Sequence, residues 1–251
     1  MTFTEKINST INELKELGVY GCITGSSMLD CNFDEWESHP DIDVFVYYQN
    51  EALYLACLLM FKHGFEPAND GEEWKLDRMR KEVRQKDSYL QTLKLKRDGV
   101  IVNITFKYGK TNMLAVLSSF DMSIIMKGYD IETKSMMDLR VGSDLMVPED
   151  PNGKWSKDKN VAVPNPLRKQ DVDMYGTKMW VRQFDRVIKY WNRGFDTRPM
   201  AEFYIKLING VIDKGALFTT DKASDNYKEF VEAYEPLRDK MVEWLNDKED
   251  C

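Results

Sequence analysis

YGCITGSSMLDCNFDEWESHPDIDVFVY, residues 20–47, is the stretch from which the rest of the chain is read. Val19 to Thr24 is short, apolar and rich in β-formers, which predicts a strand running directly into Gly25-Ser26-Ser27, with a short helix beginning over Met28 to Cys31. Residues 32–40, NFDEWESHP, are polar with a proline and read as a loop. The next eight, DIDVFVYY from Asp41 to Tyr48, are β-branched and aromatic and predict a second strand. Its period of two puts Asp41 and Asp43 on one face and Ile42, Val44 and Val46 on the other. Two carboxylates side by side repel, so the pairing asks for a cation.

Working outward, residues 4–17 predict a helix capped by Thr4, with Ile7, Ile11 and Leu14 at helical spacing and Gly18 as the stop. Asn50 is placed to cap a mostly apolar helix that ends at Gly64 and is expected to lie buried on the sheet. A highly charged helical stretch covers 72–87. It is followed by a hairpin, Tyr89 to Lys96 and Val100 to Tyr108, joined at Asp98-Gly99. A short helix over 111–118 leads to an expected strand from Phe120 to about Lys127. Residues 140–176 hold four prolines and no sustained periodicity, as an inter-domain connection does, and 177–193, 199–214 and 225–246 are helical in pattern. The expected architecture is α+β: a mixed sheet with flanking helices over 1–140, a connecting segment over 141–176 and a mainly helical domain over 177–251.

Composition narrows the function classes. A chain of 251 residues, 43% hydrophobic, can bury a sizeable core. The longest apolar run, Leu53 to Phe61, is too short to cross a bilayer, and the first residues lack the order of a secretory signal, so a cytoplasmic protein without a membrane partner is expected. Four cysteines with no CxxC spacing and only two histidines argue against zinc, and Cys22 and Cys57 read as small core residues. A net charge of −7 excludes a surface built throughout for long nucleic acid.

Moving a nucleotidyl group onto a hydroxyl requires a triphosphate held still and its charge neutralised. Mg²⁺ takes hard oxygen ligands, which carboxylates at alternate positions of a strand supply. A Gly-Ser turn at a strand end offers backbone N–H groups to phosphate. The order found here, an apolar strand, Gly-Ser, a polar segment, then Asp-Ile-Asp within an apolar strand, resembles the signature of the polymerase-beta-like nucleotidyltransferase superfamily over residues 20–48. That resemblance implies a nucleotidyltransferase-like fold, Mg²⁺ or Mn²⁺ held by Asp41 and Asp43, a nucleoside triphosphate held by Gly25, Ser26 and Ser27, and a hydroxyl acceptor on RNA, protein or a small molecule.

Such enzymes usually draw a third carboxylate from a neighbouring strand, flanked by apolar residues. Two positions fit. Asp121, in Phe120-Asp121-Met122, has the apolar-acid-apolar order and is the favoured third metal ligand and catalytic acid. The other is Asn103, in Val102-Asn103-Ile104, where an amide would stand for the acid. Lys178, Arg182, Arg186, Lys189 and Arg193 fall on one helical stripe, which is either a solvated face or the wall of a nucleotide cleft; Arg182, Arg186 and Lys189 are its candidate nucleotide contacts. A second basic cluster, Lys75 to Lys86, is interleaved with acids and offers weak support for an RNA acceptor. The rival class is a catalytically degenerate module of the same fold that binds a nucleotide or a partner.

Overall fold

In the computed structural model, residues 1–29, 31–81, 91–140, 161–165, 167, 177–215 and 223–249 are described. They divide into two compact units, Met1–Phe120 with Ile125–Ser143 and Asp121–Ile124 with Asp144–Cys251. The segment Asp121–Ile124 counts with the second unit although the residues on both sides of it belong to the first.

The first unit is mixed α+β. Helix α1 (Phe3–Lys15) begins at Thr2, not Thr4, because Thr2 and Glu5 form a reciprocal capping box. It buries Ile7, Ile11 and Leu14. Strand β1 (Gly21–Thr24) is followed by a 3₁₀ turn at Ser26–Met28. The polar loop holds a second 3₁₀ turn at Phe33–Glu35, and buried Phe33 and Trp36, edge to face at 5.0 Å, anchor it ahead of β2 (Ile42–Val46). Helix α2 (Gln49–His63) starts one residue before the expected cap, with Tyr48 at the N-cap position, and ends at left-handed Gly64. Short β3 (Glu66–Pro67) precedes α3 (Asp70–Lys81); the remainder of the expected charged helix lies outside the described residues. The hairpin β4 (Gln91–Arg97) and β5 (Val100–Phe106) turns at Asp98 and Gly99, both at positive φ (53° and 83°), the conformation of a tight two-residue hairpin loop. Helix α4 (Met113–Leu117), β6 (Lys127–Asp130) and β7 (Ser135–Asp138) complete the unit.

The seven strands form one sheet in the order β3-β4-β5-β2-β1-β6-β7, with β2 and β5 parallel and every other pair antiparallel. One face carries Ile23, Val44, Ile104 and Leu93 in a row across four strands, each 1% exposed or less, and buried side chains of α1 and α2 complete that core. The opposite face carries the acids. A corner of it is covered by α4, where Cys22, Tyr47, Met113, Val116 and Leu117 pack with Phe45 and Phe120. Cys22 is a core residue, as expected, and burial pushes its thiol up to about 12; Cys57 is only half-buried.

The expected strand from Phe120 to Lys127 is not formed. Met122 makes one isolated bridge, to Pro164, Ser123–Ile125 is a 3₁₀ turn, and β6 begins only at Lys127. Met122, Ile124, Ile125 and Met126 are all buried, so the run has no alternation, and an apolar stretch buried on every side does not declare its secondary structure.

The second unit contains α5 (Thr177–Trp191), α6 (Arg198–Gly215) and α7 (Ala223–Glu249). Trp180 and Tyr204 meet edge to face at 5.3 Å between α5 and α6, and Trp244 of α7 meets Phe184 and Trp191 in the same manner. Segment 121–124 is tied to 161–165 by Ser123 N donating to Val163 O (2.9 Å) and Asn165 N donating to Asp121 O (2.9 Å). Among the described residues, no helix is long and apolar enough to cross a membrane.

Candidate metal and nucleotide site

The sheet register builds the site. Across the face opposite the helical core, Thr24 of β1 lies beside Asp43 of β2, Asp43 beside Asn103 of β5, and Asn103 beside Lys94 of β4. Asp41 precedes β2 by one residue and shares this face by strand alternation. The Asn103 amide joins the acids: Nδ2 donates to Asp41 Oδ2 (3.0 Å) and to Asp43 Oδ1 (2.9 Å). Lys94 Nζ lies 3.6 Å from Asp41 Oδ2. Asn103 is 9% exposed and its Oδ1, fully buried, has no hydrogen-bond partner among the described residues.

Gly25 ends β1 at φ 83°, ψ −161°, a region that essentially only glycine occupies. A Cβ there would run into Asp43 Oδ2. The turn backbone and the Asp43 carboxylate are thus packed against each other, and the two oxygens of Asp43 have separate neighbours, Oδ1 the Asn103 amide and Oδ2 the Gly25 turn. Ser26 and Ser27 are buried, and Ser27 Oγ donates to Thr24 O (3.4 Å). Thr24 Oγ1 donates to Lys127 O (2.9 Å), fastening the end of β1 to β6. The structure therefore brings together Gly25, Ser26, Ser27, Asp41, Asp43 and Asn103.

Asp121 has different company. It is 3% exposed in the second unit, where Arg186 Nη1 donates to its Oδ2 at 2.6 Å and Tyr204 Oη lies 3.5 Å away. Burial alone would lower the Arg186 pKa, but the Asp121 charge, with Tyr190 and Tyr204, holds it above the ordinary range. Two residues expected in separate roles, a metal ligand and a phosphate contact, are each other's ion-pair partner. The basic stripe is not uniform either: Arg182 and Lys189 are exposed on α5, Arg186 is half-buried and Arg193 is buried. The side chain of Lys178 lies outside the described residues.

Lys94 was not among the expected site residues. Its signal was in the hairpin: a two-residue turn at Asp98-Gly99 pairs Arg97 with Val100 and, three steps on, Lys94 with Asn103.

Among the described residues no three His, Cys, Asp or Glu side chains gather as a cation site. The donor set is the two carboxylates of Asp41 and Asp43, hard oxygen ligands that suit magnesium; Asn103 turns its amide nitrogen to them and not its oxygen. No protein-family model, curated protein or solved structure matches the chain.

Proposed function

We propose that the chain binds a nucleoside triphosphate with magnesium or manganese through Asp41, Asp43 and the Gly25-Ser26-Ser27 turn, and moves its nucleotidyl group to a hydroxyl acceptor on RNA, protein or a small molecule. The observation that carries this reading is the packing of Gly25 against Asp43 Oδ2, which sets the glycine turn directly beside one of the paired carboxylates. Bound there, the cation supplies charge neutralisation to the triphosphate. The protein's own residues do the rest: Asp41 and Asp43 hold the cation, Gly25 lets the backbone come close without a side chain, and the buried serines hold the turn in shape. Asp121, with its carboxylate engaged by Arg186, is given no part in this reading.

A second reading, a degenerate module that binds nucleotide without turnover, is favoured by one observation: the residue in register with Asp43 on the neighbouring strand is Asn103 and not an acid. The two readings predict different outcomes when the protein is incubated with each labelled triphosphate, Mg²⁺ and cell extract. Transfer of label or release of pyrophosphate supports the first. Melting temperature raised by Mg²⁺ and nucleotide together more than by either alone, without turnover, supports the second. No response to any of the four nucleotides refutes both.

A further inference from the structure

An amide nitrogen that donates one hydrogen to each of two carboxylates stands where a cation bridging those carboxylates would stand. Asn103 Nδ2 does this, at 3.0 Å from Asp41 Oδ2 and 2.9 Å from Asp43 Oδ1. Its orientation is set by the acids: both amide hydrogens face negative charge, while Oδ1, on the other side of the same amide, is buried and unpartnered among the described residues. Were the amide turned over, its oxygen would face two carboxylate oxygens, an arrangement that only a cation between them would hold.

We infer that this site takes one divalent cation with its triphosphate and not two, because the Asn103 amide fills the bridging position between Asp41 and Asp43. The inference rests on the metal and nucleotide reading above and deepens it. Two divalent ions beside two carboxylates would also carry a charge that an acid at 103 would help to offset and an amide does not. The single cation is held by the carboxylate oxygens that the amide does not engage, on Asp41 and on the Asp43 Oδ2 side, which faces the Gly25 turn where the phosphates are expected. Asn103 is thereby a specificity residue that sets how many ions the site holds. Its backbone position, in register with Asp43, is the one from which a carboxylate would complete the set.

The test is a count. The full chain is titrated with Mn²⁺ in the presence of each of the four triphosphate analogues carrying a non-hydrolysable α,β bridge, and free Mn²⁺ is followed by electron paramagnetic resonance. Wild type should hold one nucleotide-dependent Mn²⁺ per chain, Asn103→Asp two, and Asp43→Asn none. Two ions in wild type would overturn the inference by showing that the amide turns over and offers Oδ1. One ion in a folded Asn103→Asp would overturn it as well, since the bridging position would not be what limits the count. Should Asn103→Asp fail to fold, the wild-type count decides alone. No nucleotide-dependent Mn²⁺ in wild type, equal to Asp43→Asn, is the failure of the metal and nucleotide reading itself, and the inference falls with it.

Discussion

Replacing Asp43 by asparagine separates a metal ligand from a structural acid, and the structure gives the size of the effect. Both acids accept from one nitrogen, so Asp41 Oδ2 and Asp43 Oδ1 are at most about 6 Å apart. At effective dielectric constants of about 20 to 80, that separation corresponds to roughly 0.7–3 kcal/mol of repulsion. Asp43→Asn removes it. The same change turns one charge-assisted hydrogen bond from Asn103 into a neutral one, a loss of about 1 kcal/mol. The balance runs from no change to a gain of about 2 kcal/mol, which for a chain of this size is a melting temperature unchanged or higher by up to about 6 °C. Differential scanning calorimetry in chelator measures it, and nucleotidyl transfer and Mn²⁺ binding are measured on the same preparation. We expect both activities to be lost with stability kept. A melting temperature that falls by more than a few degrees would show Asp43 to be a structural acid, and near-normal turnover would refute its role as a ligand.

Asp121→Ala should lower stability by about 2 kcal/mol in urea titration, because it removes the carboxylate partner of the half-buried Arg186 guanidinium, while the nucleotide-dependent thermal shift persists. Lost turnover with unchanged stability would instead restore Asp121 as the third acid. Gly25→Ala combines a backbone conformation worth roughly 1–3 kcal/mol of strain with a side chain driven into Asp43 Oδ2, so calorimetry should show a lower melting temperature and dialysis no nucleotide binding; a stable, binding-competent variant would mean that the turn can relax. The Arg97 hydrogen bond, followed by the Arg97 charge and His63, holds the Glu13 carboxyl below its usual range, so its contribution is present above the unfolded value near 4.5 and is lost as pH falls through the lower folded value. Glu13→Gln should therefore be less stable than wild type by roughly 1 kcal/mol at pH 7, and the gap between the two urea curves should narrow as pH falls below 4.5; a gap that does not narrow would put the effect down to packing.

How legible the fold was depends on how each element is buried. Strand β2 alternates buried and half-buried residues, so Asp41 and Asp43 alternate with apolar side chains and the period of two is visible; β5 is buried on both faces and shows the period only through Asn103 and Thr105 between Val102, Ile104 and Phe106. The hairpin turn at Asp98-Gly99 announces itself through residues that accept positive φ. Segment 120–127 gave the wrong element because all four of its apolar residues from Met122 on are buried, which erases the pattern. Strands β3 and β7, two and four residues long, are too short to carry a pattern, and β7 has no fully buried residue.

The site was legible where its residues are local and illegible where they depend on register. Gly25 and the Asp41/Asp43 pair sit at the two ends of one β-loop-β stretch, and chain order alone puts them on neighbouring strands. The residue beside Asp43 is set by which strand lies next to β2, and β5 takes that place by a parallel pairing of residues 60 apart in sequence, which local pattern does not reveal. Apolar-acid-apolar order favoured Asp121 because it scores a residue by its neighbours in sequence; the sheet register puts Asn103 beside Asp43 in space. The same register carries Lys94 within 3.6 Å of Asp41, so the two charged acids face one cationic side chain and one amide donor before any ligand arrives. A carboxylate pair already compensated in this way has less need of a second ion than one left bare, which is the physical link between the residue at 103 and the number of cations the site is expected to hold.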